Sequence, residues 1–289
     1  EPGVWRQDPI AKQPIAMGAK INNVKTFMIS MPDFRIRPPP ALDSIEYMMN
    51  FNEVKALGGD AINTHTVRSA DATVIGIFWA YDGTPSLCAP PRLYNQIAMQ
   101  LLNDSGASSF DMMRMLTIIN VAMTDSCYAS WENKYFYKYW RPITGIREAD
   151  TGIGDRNSGT VGDPTWSPLG APASNTNGVN FTPPFPAYPS GHATFGGALF
   201  QTLRKYFNTD DIPFTFISDE YDGITIDNTG NKRPLKKRSF INLSQAEEEN
   251  GQSRIYLGIH WCFDKTEGIK LGRDVADYVY DKIYPIKIQ

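Results

Sequence analysis

Three separated segments of the chain carry cations, histidines and a small-residue turn in patterns that suit oxyanion binding. In the first, Lys134 and Arg141 are seven residues apart. That spacing is about two helical turns, so we expect both cations on one face of a helix that Pro142 ends. A solvated basic surface is the ordinary interpretation of this segment, and taken alone the segment favours it.

The second segment is Pro189-Ser190-Gly191-His192, directly before an apolar helical pattern. Ser190 is a natural N-cap, and Gly191 lets a ligand approach the backbone closely. Free N–H groups at a helix start favour an anion, and His192 in the first turn could exchange protons with it. An ordinary capped helix with an incidental histidine is the alternative.

The third segment holds Arg254 and His260, six residues apart, followed by Asp264. We expect the arginine and histidine to converge on one pocket from a helix. Asp264, one turn after His260, could hydrogen-bond the imidazole and set its tautomer. Taken alone, this segment could equally be a buried histidine that is hydrogen-bonded to a neighbouring residue. All three segments, however, rarely occur in this order by chance.

Composition limits the other functions that the chain could have. It has 289 residues, 42% hydrophobic and 20% charged, with a net charge of -3. This balance disfavours a nucleic-acid-binding surface, and no apolar run reaches the roughly 18 residues of a membrane span. Three scattered cysteines exclude a disulfide scaffold and a zinc ribbon, but leave one disulfide open.

Hydrophobic periodicity predicts an all-α fold in which helices are joined by long loops. The first helix is predicted from Asp43 as N-cap, with Glu46 at capping-box spacing, to Gly58. Further helices are predicted near 69–81, after Pro90-Pro91, and near 109–139, 190–207, 244–261 and 265–284. Residues 208–243 look irregular, with a small hairpin at 228–231.

Two non-periodic regions complete the predicted organisation. Residues 1–40 are interpreted as an extended Pro-rich N-terminal arm, and 41–289 as a helical catalytic domain. Residues 150–189, rich in Gly, Pro and Asn, are predicted to form a rim over the functional site.

The three segments together resemble the signature of type 2 phosphatidic acid phosphatases, bacterial acid phosphatases and vanadium-dependent haloperoxidases. Flanking sequence at 78–83, 90–96 and 169–192 is similar to vanadium chloroperoxidases, and the resemblance runs from about residue 43 to about 264. It implies a helical bundle with long loops forming the active-site rim.

The resemblance also implies a vanadate site, which phosphate can occupy as well. The residues implied to hold the vanadate oxygens are Lys134, Arg141, Ser190, Gly191 and Arg254. His260 is implied to bond vanadium directly, as the one metal ligand.

Other roles carried over from the family concern catalysis and the halide. His192 is implied as the acid–base residue, Lys134 as the group that polarises bound peroxide, and Asp82 as the partner of Arg254. Trp131 and Phe185 match positions on the halide side, although packing is the usual role of such aromatic residues.

The activity implied is oxidation of chloride, bromide or iodide by hydrogen peroxide to hypohalous acid, which then reacts with a small organic acceptor. No haem or flavin is implied, and no nucleic acid partner or membrane span. The resemblance implies a secreted or periplasmic enzyme, whose oligomeric state the sequence does not give.

Two alternatives stay open. One is an acid or lipid-phosphate phosphatase with His260 as nucleophile and His192 as general acid. The other is a catalytically silent binding or structural domain. The chain is shorter between its second and third motifs than fungal chloroperoxidases, and the family has a helical portion before the Pro-rich region. We therefore predict that this chain is the C-terminal portion of a longer precursor.

Overall fold

The computed structural model describes residues 1–283, without the side chain of Asn22. Its helices are α1 Ile45–Leu57, α2 Ala70–Phe78, α3 Pro90–Asp104, α4 Ser109–Tyr137, α5 Pro142–Glu148, α6 Gly191–Phe207, α7 Leu243–Tyr256 and α8 Cys262–Ile283. Two short antiparallel strands, β1 Phe214–Ile217 and β2 Lys237–Phe240, pair Phe214 with Phe240. The fold is therefore predominantly helical, as predicted, with a small sheet that the sequence analysis did not anticipate.

The centre of the fold is the contact of α6 with α8 and α4, beside a large apolar core. Glycines bring α6 and α8 close together. A Cβ atom at Gly272 would lie 2.1 Å from the Thr194 carbonyl oxygen, and one at Gly197 would lie 2.4 Å from that of Ile269. Because of this close approach, the Ser190 N–H at the start of α6 donates to the Asp264 carbonyl at 2.9 Å.

A second, aromatic core supports the turn between α7 and α8. Tyr47 and Phe51 of α1 pack with Trp261, and the rings of Trp261 and Phe263 stack at 6.1 Å with an interplanar angle of 20°. All four side chains are almost completely buried. This packing holds the backbone on both sides of His260.

Some predicted helix ends are wrong. The N-cap of α1 is Ser44, which accepts from the Tyr47 N–H, rather than Asp43. Glu46 pairs with Arg37 instead of closing a capping box. α7 ends at Tyr256, so His260 lies in the following turn and not on the helix. The predicted hairpin turn at 228–231 is present and closed by a bridge between residues 226 and 232.

Residues 1–40 lie along the body and contact several parts of it. Val4 forms a bridge with Tyr139, and the Asp8 carboxylate accepts from the Thr182 N–H at 2.8 Å. Buried Asp125 of α4 accepts from the N–H groups of residues 27–29. The boundary at residue 40 remains a prediction. Among residues 1–283, no helix has the length and apolarity needed to cross a membrane.

Candidate active site

Lys134 lies near the end of α4 and is completely buried. Its ammonium group donates to the carbonyl oxygens of Pro186 at 3.0 Å, Ala187 at 2.8 Å and Pro189. Burial, followed by the charge of Arg141, holds the pKa of Lys134 well below its ordinary value. The predicted rim segment thus supplies the polar contacts of this lysine through its backbone.

Arg141 lies on a different secondary-structure element from the one predicted. α4 ends at Tyr137, Lys138 takes a left-handed conformation with φ 51°, and Arg141 is the N-cap of α5. The two cations therefore do not share a helix face. The guanidinium nevertheless lies in the site, where it donates to the Phe185 carbonyl at 2.9 Å and the Ile259 carbonyl at 2.7 Å.

Arg254 is at the end of α7, fully buried, and its carboxylate partner is the predicted one. Its Nη2 atom donates to both carboxylate oxygens of Asp82, at 2.8 and 3.0 Å. Asp82 follows α2 in a turn in which Tyr81 has φ 46°. Asp82 therefore engages one nitrogen of the guanidinium and leaves Nε and Nη1 for a second anion.

His260 is held on both ring nitrogens. Nε2 lies 2.9 Å from Nη1 of Arg141, and Nδ1 lies 2.8 Å from Oδ2 of Asp264. A guanidinium can only donate, so Nε2 is the acceptor and the ring proton is on Nδ1. Burial, with Arg141, Lys134, Arg254 and His192 adding to it, lowers the pKa of His260 well below its ordinary value. Burial raises the pKa of Asp264 to about 7.

Ser190, Gly191 and His192 begin α6 as predicted. Ser190 is the N-cap, and its hydroxyl accepts from the Ala193 N–H at 3.4 Å. The His192 Nε2 donates to the Ala80 carbonyl and lies 3.9 Å from Oδ1 of Asp82. Burial, followed by the charge of Arg254, lowers the pKa of His192 to about 4. The imidazole is therefore neutral near pH 7, with Nδ1 as its unprotonated nitrogen.

Trp131 and Phe185 form an aromatic pair beside the cations. Their ring centroids are 4.9 Å apart, and the Lys134 ammonium lies 5.5 Å from the Trp131 ring and 5.2 Å from the Phe185 ring. Arg141 lies 5.0 Å from the Phe185 ring. Both rings are partly buried, so this side of the site is apolar but still reaches solvent.

Unpartnered donors show that the residues fit an oxyanion. Nε and Nη1 of Arg254 and Nη2 of Arg141 are buried and have no hydrogen-bond partner among residues 1–283. A buried unpaired donor costs free energy, and an anion with several oxygens can satisfy such donors together. Within residues 1–283, three buried cations, Lys134, Arg141 and Arg254, lie in this region, and Asp82 is the carboxylate paired with one of them.

The structure also assigns contacts that the sequence analysis missed. The Tyr94 hydroxyl and the Asn250 side-chain amide each donate to the His192 carbonyl at 3.0 Å. These bonds hold the first turn of α6 in place. Tyr94 belongs to the segment 90–96 that carried part of the resemblance, which was its only sequence signal.

Comparison with known proteins agrees with this geometry. The family described as the VCPO second helical-bundle domain matches residues 114–286, which is more than half of the chain. The chain belongs to the vanadium haloperoxidase family. Vanadium chloroperoxidase of Curvularia inaequalis is 38% identical over 264 residues, covering 78% of this chain and 42% of that protein.

Two solved structures extend the comparison with the family. A bacterial vanadium-dependent iodoperoxidase matches with a TM-score of 0.73 and 27% identity, over 97% of this chain and 60% of its own. A bacterial vanadium-dependent chloroperoxidase has the same fold, with a TM-score of 0.68 and 17% identity, over 93% and 55%. The chain thus spans about half the length of these relatives.

Proposed function

We propose that this chain catalyses vanadate-dependent oxidation of halide by hydrogen peroxide. The observation that carries the proposal is the set of unpartnered guanidinium N–H groups around His260, inside a buried cluster of three cations. Membership of the vanadium haloperoxidase family supports it.

The residues proposed to hold vanadate are Arg254 and Arg141 by charge and hydrogen bond, Ser190 and Gly191 by hydrogen bond, and His260 by direct bonding. His260 suits this role because Asp264 fixes its proton on Nδ1 and keeps the Nε2 lone pair unprotonated. A bound ligand would replace the Arg141 N–H as the partner of that lone pair. Bound vanadate would supply a Lewis-acidic centre at which hydrogen peroxide becomes a stronger oxidant. Inorganic phosphate, with the same charge and shape, is proposed to occupy the same residues.

The proton balance assigns a role to His192. Halide and hydrogen peroxide with one proton give hypohalous acid and water, so each turnover consumes a proton. Neutral His192, held by Ala80 and close to Asp82, can receive a proton from solvent and pass it to the reacting oxygen. Lys134 adds a buried positive charge that favours the anionic reactants.

The aromatic pair is proposed to receive the halide. Trp131 and Phe185 offer an apolar wall beside the Lys134 ammonium, and an apolar wall weakens halide hydration. The hypohalous acid formed is proposed to react with a small organic acceptor. Such a product is hazardous inside cells, so we propose a secreted or periplasmic location.

Halogenation of monochlorodimedone with orthovanadate, hydrogen peroxide and bromide tests the proposal. We expect turnover that requires vanadate and is lost in His260→Ala, whereas His65→Ala, a change at the exposed histidine, keeps it. Hydrolysis of p-nitrophenyl phosphate by the vanadate-free protein, without halogenation in any condition, would overturn the proposal in favour of a phosphatase. Absence of both halogenation and phosphate-ester hydrolysis would indicate a catalytically silent binding or structural domain.

A further inference from the structure

The N-terminal arm lies against Trp131 of the Trp131–Phe185 pair. The Met17 N–H donates to the Pro184 carbonyl at 3.0 Å, and the Tyr135 hydroxyl donates to the Met17 carbonyl at 2.6 Å. The arm is thus bonded to α4 on one side and to the residue before Phe185 on the other. Neither bond was anticipated from the sequence.

Gly18 is the residue of the arm that lies against the indole of Trp131. It has φ +77°, and a Cβ atom there would lie 2.2 Å from Cδ1 and 2.6 Å from Nε1 of Trp131. No side chain larger than hydrogen fits in this space. The arm backbone consequently covers the five-membered edge of the indole.

The indole cannot move inward to make room. Phe185 lies 4.9 Å and Phe195 6.4 Å from the Trp131 ring, measured between centroids, and a Cβ at Gly191 would already lie 3.0 Å from the same indole. The arm, in contrast, borders open space, because a shallow surface pocket of about 430 Å³ is lined by Ala16, Gly18, Ala19, Lys20, Ile21 and Val24. A larger residue at position 18 would therefore displace the arm and not the indole.

We propose that Gly18 determines halide specificity by fixing how closely the arm covers Trp131. Close cover keeps water from the aromatic wall, which favours the more strongly hydrated halide, chloride. Lifting the arm would admit water and penalise chloride more than iodide. This inference rests on the proposed halide-oxidising function, and its first test does not use that activity.

The first test measures quenching of tryptophan fluorescence by iodide in vanadate-free protein. Trp79, Trp140, Trp166 and Trp261 are fully buried, so a Trp5→Phe background leaves Trp131 as the accessible indole within residues 1–283. Gly18→Ala in this background should raise the quenching constant roughly twofold, because the displaced arm uncovers an indole edge. Gly106→Ala is the matched control, because Gly106 has φ +73° and nothing within 4 Å of its Cβ position.

The second test compares kcat/KM for iodide and chloride in the vanadate-loaded variants. We expect the iodide-to-chloride ratio of Gly18→Ala to rise about threefold or more over that of Gly106→Ala. Equal quenching constants in the two variants would overturn the covering role, and raised quenching with an unchanged ratio would overturn the specificity role. If the unsubstituted protein oxidises no halide, the proposed function fails, and quenching alone still decides whether Gly18 covers Trp131.

Discussion

At the residue scale, the site is short of negative charge. Lys134, Arg141 and Arg254 are buried, and within residues 1–283 the carboxylate that forms an ion pair with one of them is that of Asp82. Burial lowers the pKa of Arg141 to about 9, a sign that its charge is costly there. A bound oxyanion would supply the missing charge, so we expect ligand binding and stability to be strongly linked.

Asp82→Asn should make this linkage visible. The change leaves the buried Arg254 guanidinium without its counter-charge, and we expect the free energy of unfolding to fall by about 3–5 kcal/mol in anion-free buffer. Saturating phosphate should then raise the melting temperature more in the variant than in the unsubstituted protein. Asp104→Asn, an exposed control, should respond like the unsubstituted protein. An equal phosphate response in all three would contradict this account of the charge.

His192 should give the anion-free protein a measurable pH dependence. Its folded pKa, about 4, lies below the ordinary value of 6.5, so between these pH values the unfolded chain binds more protons. Stability is therefore lost as pH falls from about 6.5 to 4. In the unsubstituted protein His192 should contribute about 3 kcal/mol to the fall in the free energy of unfolding across that range. His192→Gln should lack this contribution, as measured by urea unfolding. Parallel curves for the two proteins would show that His192 is not buried in its neutral form.

At the element scale, the chain path between the candidate residues differs from the predicted one. Arg141 lies beside His260 but not on the predicted helix, because Pro142 fits both the end of one helix and the first position of the next. The left-handed residue that separates those helices is Lys138, which carries none of the usual Gly or Asn signal. Asp43 and Ser44 are both good caps, and sequence alone could not choose between them.

The arm could not be placed from sequence either, because its anchors are separated from it by about a hundred residues. Asp125 accepts from three consecutive N–H groups at residues 27–29, and residues 27–29 show no periodicity that would indicate this pairing. The loop contacts that hold Lys134 and Arg141 use backbone carbonyls, which every residue has. Such contacts leave no sequence signal.

Asp125→Asn should loosen the arm without unfolding the body. The amide keeps one acceptor oxygen and loses the other, which serves the N–H groups of Met28 and Ile29. We expect trypsin to cleave after Lys20 and Lys25 roughly tenfold faster, equivalent to about 1.4 kcal/mol of local stability. Asp33→Asn, an exposed change in the same arm, is the control. Equal cleavage rates in the two variants would mean that Asp125 does not anchor the arm.

At the scale of the whole molecule, the contact between α6 and α8 brings together candidate site residues that are far apart in the sequence. Ser190 caps α6, which carries His192, and α8 carries Asp264. The two helices approach through Gly197 and Gly272. The family match over residues 114–286 includes both helices. Both helices were predicted, and the structure confirms them. How closely they pack could not be predicted, because hydrophobic periodicity does not show which residues lie at the helix contact.

Gly272→Ala should destabilise the protein although alanine is the better helix former. Its Cβ would meet the Thr194 carbonyl at 2.1 Å, and a rigid backbone atom cannot move aside. We expect a loss of about 1–3 kcal/mol in urea unfolding, against a helix-propensity gain near 1 kcal/mol. Gly152→Ala, where nothing lies within 4 Å, should be close to neutral. A variant as stable as the unsubstituted protein would argue against the close packing.

We propose that one vanadate site forms around His260 from Asp82, the Lys134–Arg141 segment, the start of α6 and the segment from Arg254 to Asp264. Equilibrium dialysis with orthovanadate tests this proposal most directly, with His260→Ala and His65→Ala as the paired variants. The account predicts one vanadate per chain, affinity lowered by roughly 100-fold or more in His260→Ala, and unchanged affinity in His65→Ala. Equal affinity in the two variants, or no saturable binding by the unsubstituted chain, would contradict it.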